Sequence, residues 1–424
     1  MPALDGQIVI RVKCLWAAQG RHRRYGKGMS MATTEQARSA AEVMATTWIV
    51  SSDSHIVEPP DLWTRHGDPR LGDRLPRVVR EDTGDWWYVD GQKTLSFLGI
   101  QTGDRFEKDA TELRTTATFN EVRPAAYDPA AYLAENETDG IWGSVIYPSQ
   151  GLMLFRTPTA EVLSASATAY NHWLADFCSH DTARLKGIGI VNVDDPAAAV
   201  AELEAVRALG LCGAMITVNP PIARPYRHPG YEAVWAAAAD LDLPLSLHVG
   251  TDRADPTGRD GLAGARVATE TVFINKDYQV REALADVILS GVFERHPGLR
   301  MGTVEHELGW IPFFLEQMDY TYTDRPLRGD WHRFAAGVLP SDWFRSNVFA
   351  SFQEDRTGVR VRDTFGVQTL MWGSDYPHTE STFPRSRQIL ADMLADVPPA
   401  EVAAIVSSNA ATLYHFDLPE VPRG

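Results

Sequence analysis

Cysteine is scarce in this chain: Cys14, Cys178 and Cys212 are all there are in 424 residues, far apart and without a CxxC spacing. That excludes a disulfide framework and a thiolate zinc site, and it sets the expectation of a reducing, cytoplasmic compartment. Long apolar runs are lacking as well. No stretch of 18 or more apolar residues occurs, so no membrane span is expected. Positive charge is in short supply, with 40 Lys and Arg against 56 Asp and Glu and a net charge of −16. Residues 1–30 hold six of those cations and one acid, so the body that follows is more acidic still. Such a body lacks the basic face that nucleic acid needs, although a small anionic substrate can still meet a locally positive pocket. What is present is apolar residue enough, 44%, to build a large core, which excludes a wholly disordered chain.

Residues 1–46 differ from the rest. Arg21-His22-Arg23-Arg24-Tyr25-Gly26-Lys27-Gly28 is basic, and an Ala/Thr-rich stretch follows it. No apolar core of 7–15 residues comes after these charges, as a secretory signal would need. The segment is expected to be a disordered extension, or upstream translation ahead of Met29, Met31 or Met44. A single domain is expected over 47–424.

From Trp48 onward, apolar β-rich runs alternate with helical patterns. The strands are read at 48–55, 143–148, 186–193, 213–219, 243–250, 299–306, 347–352 and 369–375. The helices are read at 129–138, 158–180, 196–209, 229–241, 276–295, 308–319, 355–365 and 390–414. Eight strands separated by helices predict an α/β fold of the (β/α)8 TIM-barrel type. The competing doubly wound sheet would carry a GxGxxG turn after its first strand, and none is there. One connection is too long: an insertion at about 56–128 follows the first strand. Within it, Asp85–Lys93 reads as a β-hairpin turning at Asp90-Gly91, so a lid or pocket wall is expected on the active-site face.

Function in this fold is built where strands end. The first strand ends in Asp53-Ser54-His55, and residues two apart on a strand share a side, so Asp53 and His55 can chelate one ion. The fifth ends in His248, the sixth in Val304-Glu305-His306-Glu307, and the eighth in Gly373-Ser374-Asp375-Tyr376-Pro377-His378. Taken singly, His248 reads as a core histidine and Asp375 as a turn cap. Four such residues converging on one barrel mouth read instead as a metal site. Two imidazoles and two carboxylates without a thiolate suit one Zn²⁺ first and Mn²⁺ second, because the fourth strand offers no Lys or Glu to bridge a second ion. His306 is then a nearby imidazole that can give or take a proton.

These residues resemble the amidohydrolase superfamily, and within it the family of aminocarboxymuconate-semialdehyde decarboxylase and γ-resorcylate decarboxylase. The resemblance spans 48–415. It also rests on Ile288-Leu289-Ser290-Gly291-Val292-Phe293-Glu294-Arg295-His296-Pro297, on Gly309-Trp310-Ile311-Pro312, and on Met371-Trp372 before the eighth-strand motif. It implies metal ligands at Asp53, His55, His248 and Asp375. It further implies a catalytic histidine at His306, matched through Pro312, and a homodimer. The chain departs from the superfamily's usual HxH by carrying Asp53, and from the glycines after the histidine by carrying Glu307 and Leu308.

Two mechanisms use the same residues. In non-oxidative decarboxylation of a small unsaturated or aromatic carboxylate, the metal draws electron density and Asp375 or His306 delivers a proton. In hydrolysis of an amide, ester or lactone, Asp375 takes a proton from water and His306 helps stabilise the oxyanion. The first is preferred. A barrel that binds a ligand without turning it over is the third reading, and the four ligands count against it. Substrate contacts are expected from Trp63, Arg253 and His378, with Arg156 as a rival for a substrate carboxylate. Trp86, Trp87, Phe155 and Phe383 suit an unsaturated or aromatic substrate.

Overall fold

Parallel strands buried on both faces must be apolar throughout, and the short runs that meet this condition here pair into one eight-stranded parallel sheet. A computed structural model describes residues 39–97, 100–253, 273–325 and 331–420, all within one compact unit, Arg38–Gly424. Of the extension expected over residues 1–46, residues 1–38, with Cys14, lie outside the described residues.

The barrel strands are β1 (Val50–His55), β5 (Gly143–Tyr147), β6 (Leu185–Ile190), β7 (Gly213–Ile216), β8 (Leu245–His248), β9 (Met301–Val304), β10 (Val348–Phe352) and β11 (Leu370–Trp372). They pair in that order. The ends of the sheet meet where the Asp375 amide donates to the Asp53 carbonyl (2.9 Å) and the His55 amide to the Tyr376 carbonyl (2.5 Å). Among the described residues, no helix is long and apolar enough to cross a membrane.

Each expected strand is present but shorter: β1 and β10 lose only residues at their start, and the other six end early because their last residues leave the sheet to build the mouth. Two long helical readings break at their turn residues. Gly291 (φ 77°) parts Tyr278–Leu289 from Val292–Arg295, and Pro398-Pro399 separates Ser386–Met393 from Pro399–Ala403. Within the segment read as an extension, residues 40–44 form a helix. Ser39 and Glu42 form a capping box on the helix Ala40–Met44, whose Ala40, Val43 and Met44 are buried. That helix is short and Ala/Thr-flanked, so its composition hides it.

The insertion folds as a three-stranded antiparallel sheet of β2 (Arg77–Glu81), β3 (Gly84–Val89) and β4 (Gln92–Ser96). Asp90 (φ 48°) and Gly91 (φ 78°) both turn left-handed, as the expected two-residue hairpin requires. The sheet lies on the mouth side. Gln150 donates to Thr94 (2.8 Å), and the Thr102 hydroxyl just beyond β4 donates to the carbonyl of Pro377.

Two glycines let barrel strands approach closely. A Cβ at Gly373 would sit 2.4 Å from Asp53 Cβ and 2.9 Å from its backbone nitrogen, and one at Gly302 would sit 2.1 Å from the Phe349 ring. Gly373→Ala and Gly302→Ala are each expected to cost about 1–3 kcal/mol in denaturant unfolding, as overpacking does. Unchanged midpoints would show that these strands have room to part.

Candidate metal and proton-transfer site

β1 carries an extra residue against β5. Val50 and Ser51 face Gly143 and Ser144, then Ser54 faces Ile146, leaving a bulge at Ser52 and Asp53. The bulge lies beside the point where β11 closes on β1. Asp53 and His55 enter the mouth from there, each fully or almost fully buried.

Three donor atoms converge without a protein partner: Asp53 Oδ1, His55 Nε2 and His248 Nε2 are buried and make no hydrogen bond. Asp53 Oδ1 lies 3.5 Å from each of the two imidazole nitrogens. Both rings are held from behind, as metal-binding histidines usually are. His55 Nδ1–H donates to the Pro148 carbonyl (2.8 Å) and His248 Nδ1–H to that of Val249 (2.9 Å), which leaves each Nε2 lone pair facing Asp53. Burial pushes the Asp53 carboxyl upward, but the charge of His248 and the closeness of both imidazoles outweigh it and hold Asp53 below the ordinary carboxylate range. Burial likewise opposes charge on His248, and Asp53 overcomes it, raising the ring to about 9. The carboxylates thus call for a cation between them. A proton on His248 and a divalent metal ion are alternative answers, and metal binding displaces the proton.

Asp375 stands next to this trio, its Oδ1 3.3 Å from His55 Nε2. It is a buried non-glycine residue with φ 58°, in the left-handed region. The same Oδ1 lies 2.8 Å from His378 Nδ1. The other end of that ring fixes where protons go. Ser149 donates its single hydroxyl proton to the Ile56 carbonyl (2.6 Å), so its oxygen must accept from His378 Nε2–H (2.8 Å). With Nε2 protonated, the short contact at Nδ1 requires a proton shared with Asp375. Burial raises the Asp375 carboxyl to about 7 and lowers the His378 ring to about 4, which favours Asp375 over His378 as the holder of that proton. The His378 ring also stacks on His55, with centroids 4.0 Å apart. Glu58 fixes the Ser149 side of this chain: its buried carboxylate accepts from the amides of Gln150 (2.9 Å) and Gly151 (2.8 Å).

The turn after β9 contributes a third group. Glu305 (φ 66°) and Glu307 (φ 58°) are both left-handed, a conformation costing about 1–3 kcal/mol per residue unless its surroundings enforce it. Here they do. The Trp310 indole donates to the carbonyls of His306 and Glu307 (both 3.1 Å), and Asp355 accepts from the amides of Leu308 (2.9 Å) and Gly309 (2.6 Å). The turn sends Glu305 back toward the barrel, with Oε2 3.7 Å from His248 Nδ1. Burial, reinforced by the charge of Asp375, raises the Glu305 carboxyl well above its ordinary value. His306 is buried with Nε2 unpartnered and Nδ1 2.9 Å from Thr303 Oγ1; burial and the His248 charge keep the ring neutral. Lys276 lies 3.6 Å from Glu307; burial works against its charge, but Glu305 and Glu307 hold it above the ordinary range.

The structure therefore brings together Asp53, His55, His248, Asp375, His306 and His378. Two expected substrate contacts it does not bring there. Trp63 is wholly buried, donates to the Ser166 carbonyl (2.9 Å) and meets Trp87 edge-on, so it is core beneath the inserted sheet. Arg253 is committed to Asp194 through Nε (3.0 Å) and Nη2 (2.7 Å), and through Nη1 to the carbonyls of Phe155 and Thr157. Its fork braces two loops and offers nothing to a substrate. Arg156 is likewise paired, with Asp252 (2.9 Å). Sequence reasoning missed Glu305 and Ser149. Glu305 had a visible signal, an acid at the end of a buried strand; Ser149 had none.

Barrel and cluster together define a class, the (β/α)8 barrel with a carboxylate–imidazole site at the C-terminal mouth. The amidohydrolase family profile matches residues 149–416, well over half of the chain, and the chain belongs to that family. It is 27% identical over 274 residues to a γ-resorcylate decarboxylase of Rhodococcus jostii, covering 58% of this chain and 75% of the relative. Among solved structures, it is similar to the amidohydrolase map2389c of Mycobacterium avium subsp. paratuberculosis. That match has a TM-score of 0.69 and 20% identity, with 87% of this chain and 99% of the other covered. It is also similar to a dihydroxybenzoic acid decarboxylase of Polaromonas sp. JS666, determined with bound manganese and 2-nitroresorcinol. There the TM-score is 0.61 and the identity 14%, with 88% and 98% covered. These two likenesses show the shared barrel.

Elemental analysis is expected to find about one divalent metal ion per chain, lost in His248→Ala while the circular dichroism spectrum stays native. Retention of the metal in that variant would mean that the trio is not what holds it.

Proposed function

We propose that the protein is a metal-dependent carboxy-lyase, removing CO₂ from a small aromatic or unsaturated carboxylate. The observation that carries this reading is the 2.8 Å contact of Asp375 with His378, itself 2.8 Å from Ser149, which supports a proton held at Asp375. Decarboxylation needs an acid that can protonate carbon. Hydrolysis needs a base ready to take a proton from water, and a protonated Asp375 is not one. The γ-resorcylate decarboxylase relative supports the same choice of reaction.

Asp53, His55 and His248 would hold the metal. A divalent ion there supplies Lewis-acid withdrawal of electron density from substrate oxygens. A donor set rich in carboxylate suits Mn²⁺ as well as the Zn²⁺ expected first, and the manganese of the Polaromonas structure favours trying Mn²⁺ early. Asp375 then transfers its proton to the ring carbon that bears the carboxylate, with ring π electrons forming the new C–H bond. The bond to the carboxyl carbon breaks, its electron pair returns to the ring, and CO₂ departs. The neutral His306 faces the site with a free Nε2 and orients a substrate hydroxyl. His378, held by Ser149, keeps the Asp375 carboxyl turned toward the reacting carbon. A homodimer and a cytoplasmic location belong to this reading, the first through the family resemblance and the second through the cysteine usage.

The test is CO₂ release from a panel of hydroxybenzoates, beginning with γ-resorcylate, by Mn²⁺- and Zn²⁺-loaded enzyme. Asp375→Asn is expected to lower kcat by about 10²–10⁴, the usual contribution of a general acid. Because the acid must be protonated, kcat should fall on the alkaline side, and Ser149→Ala should move that limb. Turnover of amides, esters or lactones with no CO₂ from any acid would overturn the proposal.

A further inference from the structure

In a regular strand, residues three apart face opposite sides, so their side chains do not meet. Ser51 and Ser54 break that rule. Their hydroxyls lie 2.7 Å apart, across the bulge that Ser52 and Asp53 make in β1. We infer that Ser51, Ser54 and Ser374 form a hydroxyl clamp that fixes this bulge and so aims Asp53 and Asp375 into the site. All three are wholly buried and act through the backbone of their neighbours, so they are positioning residues. The inference rests on the reading that Asp53 holds a metal, and it goes further by naming what holds Asp53.

Ser51 is the hub. Its oxygen accepts from the Ser54 hydroxyl (2.7 Å) and from the Ser374 amide (2.8 Å), and its own proton goes to the Asp53 carbonyl (2.9 Å). One donor and two acceptor positions are all that a hydroxyl has, so Ser51 is fully used. The Asp53 carbonyl also takes the Asp375 amide (2.9 Å), which ties both acidic residues to one hydrogen-bonded junction. Ser374 closes the group from the β11 side. Its hydroxyl lies 3.2 Å from that of Ser54, and its oxygen accepts from the Tyr376 amide (3.3 Å). Ser374 and Tyr376 thereby bracket Asp375, whose left-handed φ of 58° has to be enforced by its surroundings.

Strands buried on both faces of a parallel barrel favour Val, Ile and Leu. Hydroxyls in such strands need partners, and the partners found here are the backbone groups of two acids and of the residues beside them. Ser52, within the bulge, is fixed in the same manner by Ser351 (2.7 Å) and the Trp372 carbonyl (3.0 Å). A buried network with every member satisfied rigidifies what it holds. Alanine at position 51 would leave the Ser374 amide buried without its acceptor and would free the bulge to shift.

The experiment is calorimetric titration of chelator-treated protein with Mn²⁺, without substrate. Ser51→Ala is expected to weaken binding by about 10–100-fold, the usual effect of losing a group that orients a metal ligand. Ser51→Thr keeps the hydroxyl and should recover most of that loss. Gly187→Ala controls for destabilisation alone. A Cβ there would sit 2.8 Å from the side chains of Leu174 and Leu211, so this variant should lower the thermal midpoint and leave Mn²⁺ affinity unchanged. If Ser51→Ala does not fold, Ser54→Ala and Ser374→Ala each remove one arm, keep the hub, and should weaken binding in the same direction. Wild-type affinity in Ser51→Ala, or in both single-arm variants where they stand in for it, would overturn the clamp. So would equal losses of affinity in Ser51→Ala and Gly187→Ala, or Ser51→Thr as weak as Ser51→Ala. Failure of all three alanine variants to fold would also overturn it, because the serines would then serve the fold and not the site. A wild type that binds neither Mn²⁺ nor Zn²⁺ would overturn the metal reading itself, and a metal-binding protein that releases no CO₂ would overturn only the proposed reaction.

Discussion

Asp53, Glu305 and Asp375 are carboxylates taken out of water at the mouth of an eight-stranded barrel, and each must meet a positive charge or keep a proton. The three answers differ. Asp53 is held below the ordinary carboxylate range beside two imidazoles, whereas burial raises both Asp375, against His378, and Glu305. An isolated charge in this setting would destabilise the fold; a divalent metal ion would make ligands of such carboxylates.

The barrel tolerates this concentration of charge because the surrounding backbone is over-determined. Three non-glycine residues at the mouth, Glu305, Glu307 and Asp375, adopt left-handed conformations. Each is tied by contacts that a relaxed turn would lose: Trp310 and Asp355 around the first two, and the Asp53 carbonyl for the third. Gly373 is the complement. Only the absence of a Cβ lets the eighth barrel strand close on Asp53. Strain and close approach are therefore concentrated where side chains must be aimed, as is common at functional sites.

Proton placement ties this site to reaction type. Four residues decide it, and they come from distant parts of the chain: Ile56 takes the Ser149 proton, Ser149 takes the His378 proton, and His378 leaves one for Asp375. A ligand list does not separate a lyase from a hydrolase in this family; the Asp375–His378–Ser149 contacts are what favour the lyase reading proposed above.

Much of the architecture was legible in the chain. Eight apolar runs alternating with helices, the Asp90-Gly91 hairpin and the residues at strand ends follow from local patterning, because buried parallel strands admit few polar residues and those few stand out. Asp53, His55, His248 and Asp375 were readable for that reason. Trp63 and Arg253 misled, since position on a loop near the mouth says nothing about direction: one side chain turns into the core and the other into Asp194. The short helix Ala40–Met44 was hidden because five residues carry too little periodicity to register. By itself, then, the sequence determined the barrel and the inventory of groups at its mouth. Only the tertiary structure decided which carboxylate faces the histidines and which keeps a proton, because those choices depend on backbone turns of Glu305 and Asp375 and on partners about 90 to 320 residues away.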